Sequence, residues 1–135
     1  MNAGLLPLAP GLTGTAEATV TEENTARRLK SGSLAVFGTP ALLALMEQAA
    51  CAAVQNALPA GYTTVGAEMH VLHTAPTPLG SRVTALATLT AAEGKRLAFD
   101  CTARDERGEI GRCTQVRYVV DGERFMKKAT DRQGE

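Results

Sequence analysis

The sequence carries no excess of charge of either sign: fourteen Lys and Arg stand against fourteen Asp and Glu. No global field would draw it to nucleic acid or to an anionic membrane surface. No apolar run approaches the roughly 18 residues that suggest a membrane span. The first ten residues, Met1-Asn-Ala-Gly-Leu-Leu-Pro-Leu-Ala-Pro10, have neither the basic residues nor the long apolar core of a signal peptide. The expectation is a soluble, cytoplasmic protein with no membrane and no nucleic-acid partner. Cysteines number three, an odd count without metal-type spacing. Cys51, Cys101 and Cys113 lie in segments that read as buried, which fits small core residues in a reducing compartment and argues against a disulfide framework or a zinc site. Internal repeats and low-complexity segments are also missing. A chain of 135 residues suffices for one domain, 1–135, with flexible ends expected at 1–11 and 130–135.

Against this plain background one residue stands out. Glu47 sits inside Thr39-Pro-Ala-Leu-Leu-Ala-Leu-Met-Glu-Gln-Ala-Ala-Cys-Ala-Ala-Val54, where nearly every other residue is aliphatic or small. A helix apolar on almost all sides is buried on almost all sides, so Glu47 is expected to be hydrogen-bonded, paired or pushed toward its protonated form. Such placements cluster where chemistry needs them. The competing reading is a carboxylate paired with an arginine only to hold a dimer together. A second polar cluster, Gly66-Ala-Glu-Met-His-Val-Leu-His-Thr-Ala-Pro-Thr-Pro78, supplies both histidines of the chain.

Residues 12–21 are threonine-rich and alternate weakly, which predicts a strand. The charged stretch 22–30 has room for a helical turn, broken by Ser31-Gly-Ser33. The long helix is predicted from Thr39, read as its N-cap with Pro40 at the first helical position, and ends over residues 56–61. The period then changes to two. Strands are predicted over 63–74, 82–92, 96–104 and 110–120, separated by Pro76-Thr-Pro-Leu-Gly80, Glu93-Gly94-Lys95 and Asp105-Glu-Arg-Gly108. Such closely linked strands predict an antiparallel meander, and in the third of them Leu97, Phe99, Cys101 and Ala103 share the face opposite Asp100, Thr102 and Arg104. The fold class is α+β, an antiparallel sheet curled around one long central helix.

Strand parity separates the histidines. His73 shares a face with Val65, Ala67, Met69 and Val71, which is continuously apolar, whereas His70 shares its face with Gly66, Glu68 and Leu72. Unless a bulge intervenes, His73 points to the helix and His70 to solvent or a subunit contact. Arg117 falls with Cys113, Gln115 and Val119 on a partly apolar face, either as a buried partner for Glu47, as an anion contact or as a solvent-side arginine.

The order of strand, buried helix and strands resembles the hotdog fold. The strings Leu45-Met-Glu-Gln-Ala49, Gly66 to Pro78 with its His73-Thr-Ala-Pro-Thr-Pro78, and Glu109-Ile-Gly111 resemble the fluoroacetyl-CoA thioesterase-like branch of hotdog thioesterases, over roughly 38–120. The resemblance implies a catalytic set of Thr39, Glu47 and His73, with the backbone amide of Gly66 and the side chain of Arg117 contributing to the site. It departs before Val36, where fluoroacetyl-specific members carry phenylalanines that gate a small pocket and this chain has Lys30-Ser-Gly-Ser33, so fluoroacetyl-CoA is not carried over as its substrate.

The function expected is hydrolysis of a small acyl-CoA to free acid and CoA by a homodimer, with a tetramer left open. No metal or cofactor is called for; coenzyme A enters only as part of the substrate. The helix start and the Gly66 amide would stabilise the oxyanion, Glu47 would attack or activate water, His73 would shuttle the proton, and Thr39 would orient the carbonyl, serve as nucleophile or merely cap the helix. Two other classes stay open: a hotdog dehydratase or hydratase acting on 3-hydroxyacyl thioesters, and a non-catalytic acyl-CoA binding module.

Overall fold

A computed structural model describes residues 8–134. Strand β1 (Thr13–Thr19) is followed by a 3-10 turn (Glu22–Asn24), a one-turn helix α1 (Ala26–Leu29) and the long helix α2 (Thr39–Val54). Then come β2 (Tyr62–His73), β3 (Arg82–Glu93), β4 (Arg96–Asp105), β5 (Gly108–Asp121) and a last helix α3 (Gly122–Gln133). The strands thus lie close to where the period-two pattern put them. Among the described residues no helix is long and apolar enough to cross a membrane.

The strand order departs from a simple meander. One antiparallel sheet runs β1-β3-β4-β5-β2, so only β3, β4 and β5 follow one another, while β2 pairs with β5 instead of β3. The crossing is made by residues 74–81, whose prolines Pro76 and Pro78 cannot donate to a ladder. This segment leaves β5 through bonds from Thr74 N and Ala75 N to Ile110 O (2.8 and 3.2 Å), passes Phe37, whose N–H donates to Thr77 O (2.9 Å), and reaches β1 where Gly80 N donates to Val20 O (2.9 Å). Thr77, fully buried, donates from its hydroxyl to Asp105 Oδ2 at 2.8 Å, tying the crossing to the β4–β5 turn. By contrast β3 and β4 meet in a tight turn in which Gly94 has φ of 62°, a conformation glycine adopts without cost.

Helix α2 lies in the concave face of the sheet. Leu42, Leu45, Met46, Ala49, Ala50, Ala53 and Val54 are buried against the inward residues of β3 and β4, among them Leu97, Phe99, Cys101 and Ala103, the face predicted from alternation. β1 comes so close that a Cβ at Gly14 would overlap the helix backbone at Ala49 and Ala53. On the opposite flank Pro40, Ala44, Gln48 and Ala52 are exposed, so among the described residues the helix is not buried on almost all sides as its composition suggested. Cys101 and Cys113 are buried as expected, whereas Cys51, on the open side, is half-buried.

Two further differences concern helix ends. Gly38, not Thr39, is the N-cap of α2, which places Thr39 and Pro40 within its first turn. A proline is tolerated there because the first N–H groups have no intrahelical partner. The helix α3 is absent from the strand-and-helix pattern read above, and it carries through Gln133 the segment expected to fray. Its start is capped by Asp121, whose carboxylate accepts from Arg124 N at 3.2 Å, and Lys127 pairs with Asp131 one turn on (2.8 Å), but no residue of it is buried. At the other end Gly11 N donates to Leu89 O (2.9 Å); residues 1–7 and 135 lie outside the described residues.

Candidate active site

The inward face of β2 is set by a bulge. Gly66 pairs with Arg117 on β5 but Glu68 pairs with Val116, which leaves Ala67 as an extra residue on β2. An extra residue reverses the parity beyond it. Before the bulge the even positions Thr64 and Gly66 face α2; after it the odd positions Met69, Val71 and His73 do, opposite Gln115, Cys113 and Gly111. His73 therefore faces the helix and His70 is exposed on the outer face, as parity predicted for that half of the strand. For the first half the prediction is corrected: Gly66 turns inward and no longer shares the face of His70, and Val65 leaves the face of His73.

His73 meets the start of α2. Its Nδ1 lies 2.7 Å from Thr39 Oγ1. Because Gly38 occupies the cap position, the Thr39 hydroxyl makes no capping bond and is free for the imidazole. The other ring nitrogen, Nε2, is buried and has no hydrogen-bond partner among the described residues. Burial pushes the His73 pKa below the ordinary 6.5, so the ring is neutral at neutral pH and able to accept a proton. Thr39 and His73 line a cavity of about 290 Å³ together with Ala26, Ser31, Val36 and Phe37.

A second cluster lies two turns further along α2. Arg117 is buried, and its Nη1 donates to Glu47 Oε2 at 2.8 Å. The guanidinium is held from behind: Nε donates to Thr64 Oγ1 (3.0 Å) and Nη2 to Thr64 O (3.2 Å), while Nη1 also reaches Gln115 Oε1 at 3.4 Å. Of the three settings open to Arg117, the structure thus selects the buried partner of Glu47. Glu47 itself is less enclosed than an apolar helix suggested, with 38% of its side chain exposed. Gly66 has a steric role here, since a Cβ at that position would overlap Glu47 Oε2. A side chain there would push the carboxylate from its present position against Arg117.

All five residues singled out in the sequence fall into these two groups, Thr39 with His73 and Glu47 with Gly66 and Arg117. Within one chain the groups do not merge, because eight residues of helix between Thr39 and Glu47 amount to a rise of about 12 Å. Sequence reasoning missed Thr64 and Gln115. Gln115 was within reach, since it shares strand parity with Arg117. Thr64 was hidden by the bulge.

The family model described as fluoroacetyl-CoA-specific thioesterase (FlK) matches residues 20–123, a span containing all seven of these residues. The chain belongs to the fluoroacetyl-CoA-specific thioesterase family. It is a hotdog-fold thioesterase, as the strings around Glu47 and His73 implied. Within this family, the fluoroacetyl-CoA thioesterase of Streptantibioticus cattleyicolor is 40% identical over 93 residues, 69% of this chain and 67% of the relative. A solved structure of the fluoroacetyl-CoA thioesterase FlK is similar with a TM-score of 0.87 at 33% identity, over 93% of this chain and 97% of that one. A thioesterase superfamily member from Thermus thermophilus has a TM-score of 0.84 at 25% identity, over 95% and 97% of the two chains.

Proposed function

We propose that this family member hydrolyses the thioester of a small acyl-CoA at a site completed by a second copy of the chain. The observation that carries the reading is the buried, unpartnered Nε2 of His73 beside the short Thr39 contact. An imidazole that accepts the Thr39 proton at Nδ1 carries its own hydrogen at Nε2, and a buried N–H without an acceptor is costly. Glu47 is the matching half: a carboxylate held by Arg117 through Oε2 and still partly open to solvent. The strand between them, β2, is an edge of the sheet, and unpaired edges are commonly covered by a second copy. In the dimer Glu47 of one chain accepts from His73 of the other.

The 2.7 Å contact favours Thr39 as the nucleophile over a water activated by Glu47. Thr39 Oγ attacks the thioester carbonyl while its proton passes to His73 Nδ1; Glu47 stabilises the imidazolium. Collapse expels the CoA thiolate, which takes the proton from His73, and water, deprotonated in its turn by His73, releases the acid and restores Thr39. Free N–H groups at the start of α2 and the Gly66 amide of the second copy, carried in beside Glu47, stabilise the oxyanion. No metal or cofactor enters. The cavity of about 290 Å³ suits a small acyl group, and a variant of the FlK thioesterase, 34% identical with a TM-score of 0.82, has been solved with fluoroacetate and CoA. Lysines and arginines such as Lys95, Arg96, Arg124, Lys127 and Lys128 are exposed or half-buried and available to CoA phosphates. The three free cysteines suit a cytoplasmic setting.

The test is a panel of acyl-CoA substrates followed with a thiol reagent and by enoyl absorbance, alongside sedimentation. Release of free CoA by a dimer is expected. An absorbance change without free CoA means a dehydratase, saturable binding without turnover a binding module, and a fully active monomer at micromolar concentration overturns the shared site.

The pH profile tests the carboxylate directly. Burial disfavours the His73 imidazolium, whereas a carboxylate at Nε2 favours it. Catalysis needs the neutral ring, so kcat/KM falls as pH drops through the His73 value. The acid limb of the parent enzyme is therefore expected at higher pH than that of the residual activity of Glu47→Gln. Coincident limbs in the kcat/KM profiles rule out contact between the two groups.

A further inference from the structure

A glutamine in a hydrophobic core needs a reason. Gln115 is 2% exposed, among Met46, Phe99 and Cys101, where an apolar side chain would avoid the cost of burying an amide. Its hydrogen bonds describe a bracket. Nε2 donates to Met46 O at 3.2 Å, on the helix residue preceding Glu47, and to Cys101 Sγ at 3.2 Å, while Oε1 accepts from Arg117 Nη1 at 3.4 Å. Gln115 thus references the guanidinium to the backbone of α2 at the point from which Glu47 projects. Thr64 closes the other side, accepting twice from Arg117, at Oγ1 (3.0 Å) and at its carbonyl oxygen (3.2 Å).

An arginine has several rotatable bonds, and a single carboxylate contact would leave it free to swing. Here every nitrogen of the guanidinium is engaged, so its position is set by Thr64 and Gln115 before Glu47 is considered. We propose that Thr64 and Gln115 are positioning residues for thioester cleavage, fixing Arg117 so that it holds the Glu47 carboxylate in the orientation the reaction needs. This rests on the reading of Glu47 as a catalytic carboxylate. Both are buried and reach the Glu47 carboxylate through Arg117. A misplacement of a catalytic group by about 1 Å costs on the order of 10²-fold in rate, so the expected loss falls on kcat.

Thr64→Val removes the hydroxyl and keeps the shape; Thr64→Ser keeps the hydroxyl; Gln115→Met replaces the amide by a side chain of similar length. Thr64→Val and Gln115→Met are expected to lower kcat by about 10- to 100-fold with KM within about twofold, and Thr64→Ser to retain kcat within about threefold. In the Glu47→Gln background Thr64→Val should cost little more, because effects of residues acting as a unit do not add. Melting temperatures and circular dichroism identify variants that fail to fold, and Thr64→Val, nearly isosteric, carries the test if Gln115→Met is one of them. A folded Thr64→Val enzyme with parental kcat overturns the proposal, as does a full further loss on top of Glu47→Gln. If Glu47→Gln itself turns over at the parental rate, the catalytic reading of Glu47 fails; if Glu47→Gln is inactive and Thr64→Val is not, only the positioning role fails.

Discussion

His73→Ala is expected to lower kcat by a factor of about 10²–10⁴, the usual cost of losing a general acid or base, while His70→Ala leaves it little changed. The two histidines are three residues apart on one strand, beyond its bulge, and point to opposite faces. His73 faces Thr39 at 2.7 Å, whereas His70 is exposed opposite Thr114 on the outer surface. Steady-state kinetics of the two variants check this. Equal losses would indicate damage to β2 as a whole, and a larger effect at His70 would contradict the facing of the strand.

Glu47→Gln should keep the fold and lose most turnover, because the amide preserves size and one hydrogen bond to Arg117 while removing the charge that would stabilise the His73 imidazolium. Glu47→Ala separates packing from chemistry. It leaves the buried guanidinium without its carboxylate, and an unpaired buried group costs about 1–3 kcal/mol, so this variant should melt earlier as well as lose activity. Thermal unfolding and turnover measured on both variants decide the matter; a Gln variant with the parental rate makes Glu47 structural, a partner for Arg117 and nothing more.

The parts of the molecule written in local pattern were legible in the sequence. Sixteen residues of α2 announce themselves by composition, and alternation in β4 identifies the face of Leu97 and Phe99 because nothing interrupts that face. What was not legible depends on a single residue or on distant partners. The cap of α2 shifts by one position because Gly38 takes up the extended conformation required there, a choice that Thr39 could equally have filled. The crossing that sends β2 beside β5 is decided by pairing between residues some fifty apart. Helix α3 has a capping aspartate and an internal ion pair, but its few apolar residues, Phe125, Met126 and Ala129, are exposed and sparse in a charged segment, so they do not mark a core-facing helix. In the site, the facing of His73 was readable from parity, Arg117 was left with three settings until the structure chose one, and Gly66 was assigned to the wrong face by a count that ran through Ala67.

That one alanine acts on the direction of side chains as an inserted base acts on a reading frame. Upstream of it the strand presents Thr64 and Gly66 to the arginine; downstream it presents His73 to the threonine; because the bulge takes Ala67 out of the alternation, even-numbered residues before it and odd-numbered residues after it share one face. Ala67 itself is exposed and pairs with no residue of β5. The bulge is thus a constraint separate from composition. Flattening the bulge with every residue kept would turn His70 inward in place of His73, whereas deleting Ala67 would leave Gly66 and His73 on the same face, so a relative with a gap between Gly66 and Glu68 still presents the same residues to the interior.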